Sequence, residues 1–328
     1  MKRRIILVLC VFLFVFGIFH VGAETVRLTN QFPPSHFISK GMKFFADKVK
    51  EYSKDQLTVK VFDSAQLFKD TEVVEAVQGG LVELALVPVN KWSGMVPAAD
   101  VFEIPFAFKD LQSIKAFIQA GAGKLFDEAF APKGVKVVFW VDYGFVQFFN
   151  NVRPIKTPAD FKGLKIRTFS ALTAETVKAL GGSPVEMSSS EMYMALQRHT
   201  VDGVTTGMPA AISRKLQEVL KYLTICNYAT AEFFVQANSK WWDKLSQDKK
   251  AAILKAGEET EEVIRKAIDD EEMVALEKLK KAGLQVYEIT SQDRQAFIKA
   301  TEPVRTSFAS NTGTLGKQLV ELIAKIQK

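Results

Sequence analysis

The sequence predicts an α/β protein with a mostly parallel sheet and helices on both sides. Three observations carry that prediction. Strand-like and helix-like segments alternate from Glu24 onward, the order that builds parallel sheets. Residues 135–141 are nearly all apolar and β-branched or aromatic, as in a strand buried on both faces. Hydrophobic residues make up 48% of 328 positions, enough to core one large domain or two.

The elements follow in order. Residues 26–29 form a strand, and 35–52 an amphipathic helix with Ile38, Met42, Phe45 and Val49 on one face. Residues 57–62 alternate apolar and polar as a strand does. The helix at 71–78 stops at Gly79-Gly80, and 83–87 is the next strand. The theme repeats with a strand at 164–166 and a helix at 171–180 closed by Gly181-Gly182. A helix at 191–198, a strand at 201–205 and a strand crossing back at 233–237 follow. Residues 247–282 contain no Pro and one glycine, Gly257. A continuous helix there would be about 54 Å long. Periodicity alone is equally consistent with two helices, broken near Gly257 or at Asp269-Asp270-Glu271-Glu272.

The N-terminus reads as an export signal. Lys2, Arg3 and Arg4 precede an apolar run at 5–19, and Val21-Gly22-Ala23 offers small residues for cleavage. The run is too short to span a bilayer, and bulky Leu9 before Cys10 argues against lipidation. Cleavage after Ala23 leaves one cysteine, Cys226, so no internal disulfide is expected. Removing Lys2, Arg3 and Arg4 from 43 basic residues leaves 40 against 37 acidic ones, evenly mixed. Nucleic acid is therefore a poor partner.

Catalysis is poorly provided for. Beyond the signal only His36 and His199 remain, without metal-ligand spacing, and Cys226 has no evident partner base. Ser188-Ser189-Ser190 before Glu191 reads as a helix cap. No enzyme activity, metal or cofactor is expected. The informative residue is Arg167, which ends a short apolar strand after the turn at 158–163. Strand ends line ligand crevices in α/β proteins, and a guanidinium there offers a two-donor fork for a carboxylate. Aromatic residues at strand ends, among them Trp92, Phe106, Tyr143, Phe148, Phe169 and Phe233, are candidate pocket walls.

Two longer motifs surround Arg167. One runs Pro154-Ile155-Lys156-Thr157-Pro158-Ala159-Asp160-Phe161-Lys162-Gly163-Leu164-Lys165-Ile166-Arg167. The other is Ser190-Glu191-Met192-Tyr193-Met194-Ala195-Leu196-Gln197 followed by Val201-Asp202-Gly203. With Val61-Phe62, Gln66-Leu67 and Phe102-Glu103-Ile104-Pro105-Phe106, they make the chain resemble the solute-binding proteins of TRAP (tripartite ATP-independent periplasmic) transporters, DctP type. The resemblance implies a two-lobed periplasmic binding protein-like fold with crossing hinge strands and one long helix spanning both lobes. It assigns 24–143 plus about 233–270 to the first lobe, and 144–232 plus about 271–328 to the second. It implies a monomer in the periplasm that closes on a small carboxylate ligand and delivers it to TRAP membrane permease subunits. A periplasmic sensor for a membrane signalling partner is the rival reading.

The resemblance makes Arg167 the carboxylate-binding arginine, and Asn30, Asp70, Lys91, Gln147, Ser189 and Thr206 match ligand-wall positions. There are departures. Val146 stands where many relatives carry a second arginine, Val204-Thr205-Thr206 replaces a Gln-Glu-Asn run, and Ser189 replaces an aromatic. The expected ligand is therefore a monocarboxylate, such as a 2-oxo or 2-hydroxy acid, packed on Trp92, Phe169 and Phe233. Lys91 is the counter-evidence, since it would serve a second acidic group if it points inward.

Overall fold

The computed structural model describes residues 23–327; all but the last residue of the expected signal lies outside them. The first elements are β1 (Glu24–Thr29), α1 (Phe37–Tyr52), β2 (Leu57–Phe62), α2 (Val73–Gln78), β3 (Leu84–Pro88), α3 (Leu111–Phe117) and α4 (Gly123–Phe130). Next come β4 (Val135–Asn150), β5 (Lys165–Thr168), α5 (Ala171–Ala179), β6 (Ser183–Glu186), α6 (Met192–Gln197), β7 (Gly203–Thr206) and α7 (Met208–Ser213). The chain ends with β8 (Tyr222–Asn238), α8 (Ser239–Lys244), α9 (Gln247–Lys281), β9 (Gln285–Glu288), α10 (Ser291–Asn311) and α11 (Gly313–Ile326).

Nine strands join in the order β2-β1-β3-β8-β4-β7-β5-β6, with β9 on the flank of β8. The outer strands are parallel, as the alternation of strands and helices requires. At the centre β4 and β8 run antiparallel, from Val135 opposite Asn238 to Asn150 opposite Tyr222. These two long strands are the crossing elements. The first-lobe half of β8 pairs with β3, and in the second lobe β4 pairs with β7 and β8 with β9. Their register breaks between Asp142 and Phe145, beside the expected changeover at 143/144, and we propose this irregularity as the lobe boundary.

The core has an aromatic centre under the first lobe. Phe102 lies 5.6–6.1 Å, ring to ring, from Phe108, Phe117, Phe126 and Trp140. Such pairs contribute about 0.5–1.5 kcal/mol each beyond the area they bury.

The long C-terminal element is one helix. α9 runs 35 residues, begins at the Ser246 cap and ends on Lys280 and Lys281, which suit the negative end of the helix. Ile253, Ala256, Thr260, Ile264 and Ile268 form its buried stripe. Gly257 does not break it. A Cβ at Gly257 would stand 2.7 Å from Phe139 Cδ1, and one at Gly41 would stand 2.6 Å from Ile264. These glycines let α1, α9 and β4 approach closely. Ile253 and Ile264 join the cluster of Phe45 and Phe139, while Ala275 and Leu279 join that of Met192 and Leu196 in the second lobe. The helix therefore braces both lobes.

The last segment departs from expectation. Leu319 and Ile323 of α11 pack with Phe102 and Phe117 in the first lobe, as do Val304 and Phe308 of α10. Phe297, earlier in α10, meets Phe161 of the second lobe at 6.2 Å. Residues from 271 up to β9 thus stay with the second lobe, while the end of α10 and α11 reach back to the first, because their apolar faces match the aromatic cluster there.

Candidate functional site

The ends of β1, β3, β5 and β7 converge on the β4–β8 crossing, where the cleft between the lobes holds a small cavity of about 40 Å3. The two long motifs build this place. The Asp160 carboxylate accepts from Lys156 N, Thr157 N and Thr157 Oγ1 at 2.7–3.0 Å, fixing the turn into β5. Asp202 Oδ2 accepts from Lys165 N at 2.7 Å. Gly203 lies so close to β4 that a Cβ would stand 2.2 Å from Phe149 O. These contacts hold β5 between β6 and β7 and set the height of Arg167.

Arg167 is buried. Its Nε and Nη2 donate to Met187 O at 3.1 and 3.0 Å, and Nη1 donates to Thr205 O at 3.1 Å. Its guanidinium lies 5.6 Å from the Phe169 ring centroid. Both hydrogen-bond partners are neutral carbonyls, and two of the five N–H donors stay unused. Burial lowers its pKa, opposed chiefly by Asp70. It is a fixed cation with free donors facing a cleft.

The first lobe closes against it through polar contacts. Asp70 accepts from Ser188 Oγ and from Ser189 N at 3.2 Å. Burial pushes Asp70 upward, but Lys91 and Arg167 outweigh it and hold the carboxylate below its ordinary value. Lys91 Nζ donates to Phe169 O at 2.7 Å and lies 3.9 Å from Glu186. Ser189 Oγ donates to Gln31 Oε1 at 2.8 Å. Tyr143 accepts from Gly207 N at 2.8 Å and shares a 3.0 Å bond with Thr206. Beside the cleft, Asn90 and Ser170 donate to the two oxygens of buried Glu103. Burial, then neighbouring Asp100, pushes Glu103 well above the carboxylate range. Burial also drives Asp100 up to about 7, despite hydrogen bonds from the Leu172 backbone and Ser93.

The structure brings Arg167, Lys91, Asp70, Phe169, Ser189, Thr206 and Phe233 to the cleft lining. It does not bring Asn30, Trp92 or Gln147 there. Asn30 donates to Ser39 Oγ and Asp63 Oδ1, both at 2.7 Å, and accepts from Phe32 N. It holds the loop that carries Gln31 and Phe32 into the cleft. Trp92 turns into the first-lobe core, its ring tilted 45° against Phe130 at 5.0 Å and its indole N–H donating to Gln236 Oε1 at 3.0 Å. Gln147 clasps a bend in β8, accepting from Cys226 N and Asn227 N and donating to Asn227 Oδ1.

Sequence reasoning missed Gln31, Phe32 and, above all, Arg214, which caps α7 and lines the cleft. Val146 does line the cleft as an apolar wall, yet Arg167 is not the sole arginine there. Arg214 belongs to no motif. Its one signal is being the first charged residue after Asp202. His36 stays off the lining: it caps α1 through Ile38 N and stacks on Phe32 at 4.2 Å. Among the described residues, no cluster of three or more His, Cys, Asp or Glu is arranged to hold a metal. No described helix is long and apolar enough to cross a membrane.

Residues 28–311 match the profile of DctP, the bacterial extracellular solute-binding protein family 7. The chain belongs to this family. Its TRAP relatives include the C4-dicarboxylate-binding periplasmic protein DctP of Rhodobacter capsulatus, 31% identical over 88% of this chain and 87% of that protein. A TRAP periplasmic solute-binding protein of Sulfurospirillum deleyianum with bound succinate superposes with a TM-score of 0.87 at 28% identity, covering 93% of this chain and 99% of that one. One from Roseobacter denitrificans with bound β-D-glucuronate also has a TM-score of 0.87 at 28% identity, covering 92% and 99%. The family 7 fold thus agrees with the two lobes, crossing strands and bracing helix described above.

Proposed function

We propose that this family 7 protein is a non-enzymatic receptor in the periplasm that binds a small organic acid, closes its lobes over it and delivers it to a TRAP permease. The observation that carries this reading is Arg167: a buried guanidinium with two unused N–H donors, in a cleft whose walls come from both lobes. A carboxylate satisfies both donors at once. Relatives of the same fold hold succinate or a sugar acid, which supports the ligand class. Contacts such as Asp70 to Ser189 and Lys91 to Phe169 O join the lobes. A ligand touching both walls therefore shifts the population toward closure.

Two features bear on the body of the acid. Phe32, Val146, Phe169 and Phe233 form an apolar wall, which alone suits a monocarboxylate with an apolar or aromatic body. Arg214 and Lys91 add cations, which favour a second acidic group. Calorimetry of the purified, expectedly monomeric receptor against a panel of organic acids tests the reading. Arg167→Ala is expected to weaken the best acid by about 3 kcal/mol or more, as when one partner of a buried charge pair is removed. Near-unchanged affinity would remove Arg167 from the site.

A further inference from the structure

We infer that Arg214 is a specificity-determining residue that holds a second acidic group of the ligand, so that the cleft selects diacids over monoacids of equal length. The inference rests on the receptor reading above.

Arg214 presents an incomplete set of bonds. Its Nη2 donates to Gln31 O and to Ser189 Oγ, both at 3.1 Å. Its Nε–H is shielded from solvent and has no partner among the described residues, and no described carboxylate forms an ion pair with Arg214 or with Arg167. The guanidinium faces the Phe32 ring, 5.6 Å from its centroid. Burial lowers its pKa to about 10, with Tyr143 and Asp70 opposing and Arg167 adding to the fall. It is still charged at neutral pH.

The charge balance of the lining points the same way. Lys91 has Glu186 3.9 Å away, which leaves Arg167 and Arg214 facing one carboxylate of the lining, Asp70, and Asp70 already receives two hydrogen bonds from the second lobe. A monoacid on Arg167 leaves a second guanidinium in the closed cleft without an anion, and an uncompensated buried charge is costly. A diacid removes that deficit.

The two arginines share an anchor segment. Arg167 is anchored on Met187 O and Arg214 on Ser189 Oγ, so their anchor residues are two apart. Their Cα atoms are at most about 7 Å apart. Both guanidiniums are thus tethered to one short segment of the cleft wall, Met187 to Ser189. The cation that Val146 lacks on β4 is supplied from the end of α7, on another side of the cleft.

The test is calorimetric titration of the receptor with matched pairs: succinate and butyrate, glutarate and pentanoate, adipate and hexanoate. In at least one pair the diacid is expected to bind about 30-fold more tightly or better. Arg214→Gln should bring that ratio to within about threefold of one while monoacid binding persists. Arg214→Lys, which restores charge without the fork, should recover part of the preference. A wild-type protein that prefers the monoacids, or that binds no member of any pair, overturns the inference, and this comparison needs no variant to fold. Equal loss of both acids in Arg214→Gln would make the residue a strut to Gln31 and overturn the inference, while leaving the receptor reading intact. Unchanged diacid binding in Arg167→Ala would remove Arg167 from the site, and failure to bind any organic acid of the wider panel would break the receptor reading itself.

Discussion

Cys226 shows how a residue's surroundings decide its chemistry. It is buried in the core beside β4, and burial pushes its thiol up to about 12, slightly relieved by a backbone hydrogen bond. The thiolate is the reactive form, so the folded protein at pH 8 should resist a thiol reagent such as Ellman's and react promptly in denaturant. Fast labelling of the native protein would contradict that burial. The same dependence on surroundings limits what single residues tell from sequence. Arg167 was legible because a turn motif and a strand place it at a known kind of position. Arg214 was not, because only the docking of α7 against the Gln31 loop gives it meaning. Trp92 follows one strand signal and Phe233 opens another, yet only Phe233 faces the cleft. Aromatic character reports a strand end but not which side of it a ring takes.

At the scale of elements, periodicity located most strands and helices and left one question evenly open, the continuity of 247–282. The answer lies in contacts from distant segments. Gly257 looks like a helix breaker locally, but it is the point where α9 meets Phe139. Gly257→Val should therefore cost about 1–3 kcal/mol by overpacking, as for other small-to-large changes in tight cores. Thermal unfolding would report it, and an unchanged midpoint would mean that the helix and β4 are not in close contact. The aromatic residues of α3 and α4 gather with Phe102 and Trp140 into one cluster. That cluster also draws α11 back to the first lobe. Partners so remote in sequence leave no local period to read.

At the scale of the whole molecule, buried carboxyl groups sit where the two lobes meet. Asp100 and Glu103 of the first lobe meet the start of α5 in the second: Leu172 N–H bonds to Asp100, and Ser170 Oγ donates to Glu103. Asp100 rises from 3.8 to about 7. Between those values the folded protein keeps a proton that the unfolded chain has released. This contribution to stability is fully present below about 4 and is lost as pH rises through about 7, with a slope of at most about 1.4 kcal/mol per pH unit for each proton. Glu272, raised by burial and then by Asp269 to about 8, acts in the same direction. Melting temperature should fall from pH 5 to 8, and Asp100→Asn should flatten that fall between pH 4 and 7. Parallel curves for the two proteins would show that Asp100 ionises normally.

The central place of β8 also constrains how the chain reaches this structure. Within the first lobe it lies between β3 and β4, so Leu84 pairs with Ala237, 153 positions later. The first lobe cannot finish its sheet until most of the polypeptide has been made and has closed a long loop. Contacts this distant slow folding. A nascent chain of this topology stays loose for a long interval, the state in which a polypeptide is threaded through a narrow membrane channel before it sets.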